Sequence, residues 1–162
     1  MLAGKADVSE QALPGRRISV HTIEMQTEEL TGHCLCGATA YRLTAEPFSF
    51  QYCHCSRCRR RSGSAHAANL FAPPESLVWT AGGDEVGTYT LEGDPPFPTG
   101  FCRTCGSAMP SMSTTGKFWV IPAGSFNGDP GLRPKHSIFW ANRAPWFECV
   151  SNLERHEEWP PS

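Results

Sequence analysis

Seven of the eight cysteines in this chain fall into three short clusters: Cys34-Leu35-Cys36-Gly37, Cys53-His54-Cys55-Ser56-Arg57-Cys58 and Cys102-Arg103-Thr104-Cys105-Gly106. Thiolate sulfur is a metal ligand, and a two-residue gap such as Cys102/Cys105 lets both sulfurs turn toward one ion while nearby backbone amides hydrogen-bond to them. Gly106 permits the positive φ that such a turn often needs, and Cys34-x-Cys36 with Gly37 forms a tighter half-clamp. Two half-clamps give four thiolates, the tetrahedral set of a structural zinc with Zn–S distances of ~2.3 Å. Such an ion would tie together the two ends of the intervening chain, as a long-loop disulfide does in an oxidising compartment. Zinc binding in small structural sites is worth ~10–16 kcal/mol, comparable to the stability of a whole domain.

The middle cluster differs. Cys53, Cys55 and Cys58 bring three sulfurs together within six residues. Three protein ligands leave one tetrahedral position open, which is what distinguishes a catalytic or ligand-binding zinc from a structural one. His54 lies between two of the ligands, so local geometry turns its ring away from the metal, into a supporting or purely structural place; a ligand role is the alternative. Two further readings stay open: all seven cysteines are structural, or the middle cluster is a redox centre. No thioredoxin-like βαβ pattern surrounds it to support the latter. Cys149, the eighth, is expected to be a small buried hydrophobe.

These side chains need a scaffold. The chain has 162 residues, 40% hydrophobic and 19% charged, enough apolar content for one packed domain. A net charge of −2 argues against a general nucleic-acid binder. No apolar run approaches the ~18 residues needed to span a bilayer, so no membrane partner is expected. Residues 1–28 are polar and weakly patterned and read as a poorly ordered leader, with a strand at Ile18–Ile23 as the alternative; the folded domain is expected over 29–162. The leader contains Lys5, Asp7, Glu10, Arg16 and Arg17 and no apolar core of an export signal. A cytoplasmic, reducing location is therefore expected, and the cysteines call for metal rather than disulfides.

Short runs rich in β-branched and aromatic residues predict strands at Thr39–Leu43, Leu77–Trp79, Thr88–Leu91, Phe118–Ile121 and Ser137–Trp140. Pro73-Pro74, Gly82-Gly83, Gly93-Asp94-Pro95-Pro96 and Asn127-Gly128-Asp129-Pro130-Gly131 punctuate them. One short helix is expected at Ser56–Arg61. The result is a mostly β, loop-rich single domain that needs its loops pinned. The loop from Gly82 to Thr99 is a candidate pocket wall.

Thr31-Gly32-His33-Cys34-Leu35-Cys36-Gly37-Ala38, Tyr52-Cys53-His54-Cys55-Ser56-Arg57-Cys58-Arg59-Arg60 and Ser62-Gly63-Ser64-Ala65 resemble the glutathione-dependent formaldehyde-activating enzyme family, also called the centromere protein V/GFA family. Phe101-Cys102-Arg103-Thr104-Cys105-Gly106-Ser107 resembles its second structural pair, and His136-Ser137-Ile138-Phe139 with Arg143-Ala144-Pro145-Trp146 its C-terminal signature. The resemblance covers Thr31 to Trp159. It implies an Mss4-like β-tent fold and two zinc ions per chain: a structural one on Cys34, Cys36, Cys102 and Cys105, and a second on Cys53, Cys55 and Cys58.

The resemblance also implies a carbon–sulfur lyase that forms or breaks S-hydroxymethylglutathione or a related thiol–aldehyde adduct, with glutathione as co-substrate. A free thiol, with a pKa of ~8.5, is only slightly ionised at neutral pH, and zinc would deprotonate it. Three thiolates already make the site anionic, so the ion is better suited to holding a thiolate than to polarising an aldehyde. Arg59, Arg60 and Arg61 would offset that charge, and one of them could bind a glutathione carboxylate. Arg59, Arg60, Ser62 and Arg143 are the candidate substrate contacts, Trp140 and Trp146 candidate core or pocket wall. Neither His54 nor His136 is marked as a general base by its spacing. The alternative function is a non-catalytic zinc module that binds glutathione or another thiol.

Overall fold

Alternation of side chains across short strands sets the architecture. A computed structural model describes residues 29–147 and 153–160; the expected leader at 1–28, its alternative strand and Cys149 lie outside the described residues. The elements are β1 (Thr31–His33), β2 (Ala40–Leu43), β3 (Ser49–Cys53), α1 (Ser56–Ser62), β4 (Ala67–Ala72), β5 (Leu77–Ala81), β6 (Val86–Leu91), β7 (Phe97–Cys102), β8 (Ala108–Met109), β9 (Ser111–Met112), β10 (Trp119–Pro122) and β11 (His136–Ile138). They form three sheets, ordered β1-β2-β5, β11-β3-β4-β10-β9 and β6-β7-β8. The chain is mostly β and loop-rich, as the strand-like runs predict. Each predicted strand overlaps an observed one. The Ser137–Trp140 run is cut short, because Phe139 takes a left-handed φ of 55° and Trp140–Asn142 closes into a 3₁₀ turn.

The five-stranded sheet has two different faces. Phe50, Leu70 and Ile121 align on one face, with Phe50 opposite Leu70 and Leu70 opposite Ile121. This face builds the main core with Tyr41, Leu43, Ala72 and Met109. A period of two sends the alternate residues to the other face, where Cys53 pairs with Ala67, Gln51 with Asn69, and Val120 with both Phe71 and Ser111. That second face ends in Cys53, the first sulfur of the middle cluster. Strand β11 adds to its edge in parallel, pairing Ile138 with Cys53.

Tyr41 joins the β1-β2-β5 sheet to the core. It is 1% exposed, meets Trp79 and Phe126 edge-on at 5.9 Å each, and its hydroxyl lies 2.7 Å from Ser125 Oγ. The Ser125 hydroxyl donates to the Pro122 carbonyl at 2.7 Å, so Tyr41 is the donor in the other bond. Gly32 lies directly beneath this pair: a Cβ there would stand 2.5 Å from the Ser125 carbonyl and from the Tyr41 ring. Replacing Tyr41 with Phe keeps the packing and removes one donor from a buried acceptor. It is expected to cost about 1 kcal/mol, read as a lower urea midpoint at unchanged slope.

Candidate metal centre

Two loops of the same design face each other across the β1–β2 and β7–β8 connections. The Gly37 amide donates to the Cys34 carbonyl at 3.0 Å with Gly37 at φ 76°, and the Gly106 amide donates to the Cys102 carbonyl at 2.9 Å with Gly106 at φ 75°. These left-handed turns fold each cysteine pair back on itself. The Cys34 and Cys36 sulfurs lie 3.5 Å apart, Cys36 and Cys102 3.9 Å apart, and all four ligand sulfurs, Cys105 included, fall within 4.8 Å of one another. Tetrahedral zinc with bonds of ~2.3 Å needs sulfurs ~3.8 Å apart, so the set fits that ion. Hydrogen bonds hold two of the sulfurs: the Thr39 amide donates to Cys34 Sγ at 3.3 Å, and the Cys105 thiol donates to Ser107 Oγ at 3.2 Å. The Ser107 hydroxyl bond holds the Cys105 thiol down at about 5.

Strand β3 and helix α1 build the second set. Cys53 ends the strand, Cys55 caps the helix, and Cys58 lies within its first turn, where its backbone amide reaches Cys55 Sγ at 3.4 Å. The three sulfurs lie within 4.8 Å of one another, with Cys53 and Cys58 buried. None of the seven described cysteines is in a disulfide. The hydrogen bond from Cys58 holds the Cys53 thiol down at about 6, aided by the positive charge of Arg57, while the same bond and burial push Cys58 up. Cys53 ionises readily at the expense of Cys58, and a divalent cation is what allows sulfurs this close to lose their protons together. The donor set fits zinc, and no fourth His, Cys, Asp or Glu joins the trio among the described residues.

The arginines divide by helical face. Arg57 donates to the Pro95 carbonyl at 3.0 Å and lies 5.1 Å over the Phe97 ring. One turn on, Arg61 donates to the Met109 carbonyl at 3.1 Å and feels the charge of Cys58. Both are tied down beside the sulfurs. Arg57 is absent from the sequence-based candidates; its i,i+4 relation to Arg61 is the signal that could have found it. Arg60 is exposed and reaches back to the Ser56 carbonyl at 3.5 Å. Ser62 donates to the His66 and Arg59 carbonyls at 3.1 and 3.4 Å, so its hydroxyl closes the end of the helix.

His54 is 0% exposed and neither ring nitrogen has a hydrogen-bond partner. Its ring packs against Trp140 at 4.9 Å and against His66 and Phe147 at 5.2 Å each. It stays out of the sulfur cluster, as its position between two ligands predicts. Burial, and then the charges of Arg143 and Arg59, hold it below the usual imidazole range. Arg143 lies 5.0 Å over Trp140 and donates to its carbonyl at 3.3 Å. Trp146, a candidate core or pocket residue in the sequence, is 68% exposed, because the chain turns outward after the buried Ala144. His66 has no counterpart among the sequence-based candidates; neither motif nor spacing marks it.

The profile of the family described as glutathione-dependent formaldehyde-activating enzyme matches residues 29–142, a span that holds both sulfur sets. The chain belongs to that family. A protein of Halomonas elongata named "Putative glutathione-dependent formaldehyde-activating enzyme" is 35% identical over 129 residues, 75% of this chain and 82% of that one. A crystal structure of a Rhodobacter sphaeroides protein superposes with a TM-score of 0.51 at 23% identity, covering 66% of this chain and 98% of the other, and shares the fold. The mostly β, loop-rich fold with one α-helix among the described residues goes with that membership, as does the general activity in the family's name. Arg143 lies one residue beyond the matched span.

Metal analysis of the native protein is expected to give two zinc ions per chain, the one on the open trio yielding first to a chelator. Cys102→Ser is expected to lower the melting temperature far more than Cys55→Ser. A Cys102→Ser protein that melts like the native one would refute the four-sulfur assignment.

Proposed function

We propose that this protein is a zinc-dependent carbon–sulfur lyase that forms and breaks the adduct of glutathione with an aldehyde. The observation that carries the reading is the trio of converging sulfurs, Cys53, Cys55 and Cys58, without a fourth protein ligand among the described residues. A zinc ion held there would supply a position for one incoming sulfur and favour its thiolate form.

The chain's own residues do the rest. Cys53, Cys55 and Cys58 fix where a substrate sulfur can stand, and Arg57 and Arg61 balance the negative charge of the cluster. In the forward direction the thiol loses its proton, sulfur attacks the carbonyl carbon, a C–S bond forms and the C=O π pair moves to oxygen, which takes up a proton. The reverse step removes the hydroxyl proton, restores the carbonyl and returns the sulfur as thiolate. Arg59 and Arg143, both close enough to His54 to depress its proton affinity, are suited to a glutathione carboxylate. The seven free thiols fit a reducing, cytoplasmic setting.

Exchange between glutathione, formaldehyde and their adduct, followed by NMR, tests the reading. The native protein should accelerate exchange, and Cys55→Ser should abolish the acceleration by ~10²-fold or more while circular dichroism stays native. Glutathione binding without acceleration would support the thiol-binding module instead. Undiminished exchange by Cys55→Ser would remove the trio from the chemistry.

A further inference from the structure

The sheet face that ends in Cys53 also carries Asn69 and Ser111, both buried at 5% and 6% exposure. Asn69 lies two residues beyond Ala67, the partner of Cys53, and Ser111 pairs with Val120. These residues line a cleft of about 170 Å³ together with Cys58 and Arg61. Pro95, which Arg57 holds through its carbonyl, and Phe97 and Pro98, which open β7, form its apolar side. Two of these lining residues carry a buried polar atom without a hydrogen-bond partner: Asn69 Oδ1, an acceptor, and Arg61 Nε, a donor. Buried polar groups without partners cost free energy, so each awaits a complement. A hydroxyl group, which both donates and accepts, suits an amide and a guanidinium together.

We propose that this cleft receives the aldehyde-derived half of the adduct, and that its substrates are short aliphatic aldehydes carrying a carbon substituent on the carbonyl. The inference rests on the lyase reading of the same site and names its substrate class. The adduct hydroxyl pairs with Asn69 and Arg61, while the substituent packs on Pro95–Pro98 and Val120. Formaldehyde fills such a space poorly, since about 10–15 Å³ on the same measure is enough for one water. The bond changes are those of the parent reaction: C–S forms as the carbonyl π pair becomes the hydroxyl, whose proton replaces the one lost by the thiol.

The test compares enzyme-accelerated exchange for the glutathione adducts of formaldehyde, acetaldehyde, propanal and butanal. The propanal-to-formaldehyde ratio of kcat/KM is expected to exceed unity by roughly tenfold, the discrimination an added methylene or two confers in an apolar pocket. Val120→Phe, which fills the cleft, should lower that ratio by about the same factor. Thr114→Trp, at an exposed position on the cleft rim, makes the same test should Val120→Phe fail to fold. Asn69→Leu should lower kcat/KM for every adduct. A ratio at or below unity, or one that neither filling variant moves, overturns the cleft assignment and leaves the lyase reading standing. Absence of acceleration with every aldehyde overturns both.

Discussion

Like charges cannot be gathered without a counter-charge, and this chain gathers cysteine sulfurs twice. The four-sulfur set spans loops from two different sheets, and its two innermost members, Cys34 and Cys102, are also part of the main apolar core. Without a cation, four thiols at that spacing share protons and hydrogen-bond weakly. With one, the same four groups become a cross-link between β1–β2 and β7–β8. A loop-rich chain in three small sheets has few other long-range restraints of that strength. The Thr39 amide, aimed at Cys34 Sγ, shows that loop arranged in advance for anionic sulfur.

The second set obeys the same electrostatics with a different outcome. Its sulfurs come from a strand end and the first turn of a seven-residue helix, so they are held by local geometry rather than by a bridge across the fold. Arg57 and Arg61 lie on one side of that helix and are themselves fixed by backbone carbonyls of Pro95 and Met109. Positive charge is therefore anchored where the sulfurs ionise. The arrangement serves both the cluster and the cleft, because the Pro95 loop held by Arg57 is also the cleft's apolar wall.

The five-stranded sheet separates stability from chemistry by parity. Residues one apart in β3 and β4 go to opposite sides, so Phe50 and Leu70 build the core while Cys53 and Asn69 face the helix and the cleft. Shifting either strand by one residue would exchange these roles, which is why the register matters to function as much as to folding.

The cysteine spacings marked the three clusters and pointed to a division into four and three, and the run from Ser56 to Arg61 pointed to one short helix, because clamp turns and helix starts act over a few residues. That the two half-clamps meet was decided by the tertiary structure. The strands at Ala40–Leu43, Leu77–Ala81, Val86–Leu91 and Trp119–Pro122 were legible from their β-branched and aromatic content. Strand β4, with its Ala-Ala-Asn-Leu-Phe-Ala sequence, was not: its strand state comes from neighbours on both sides, β3 and β10, rather than from its own propensity. The same is true of the functional neighbours. That His66 packs on His54 and that Asn69 and Ser111 share a cleft with Cys58 are facts of register and long-range packing. Only the tertiary structure decides them, since side chains distant in sequence meet only after the sheets have formed.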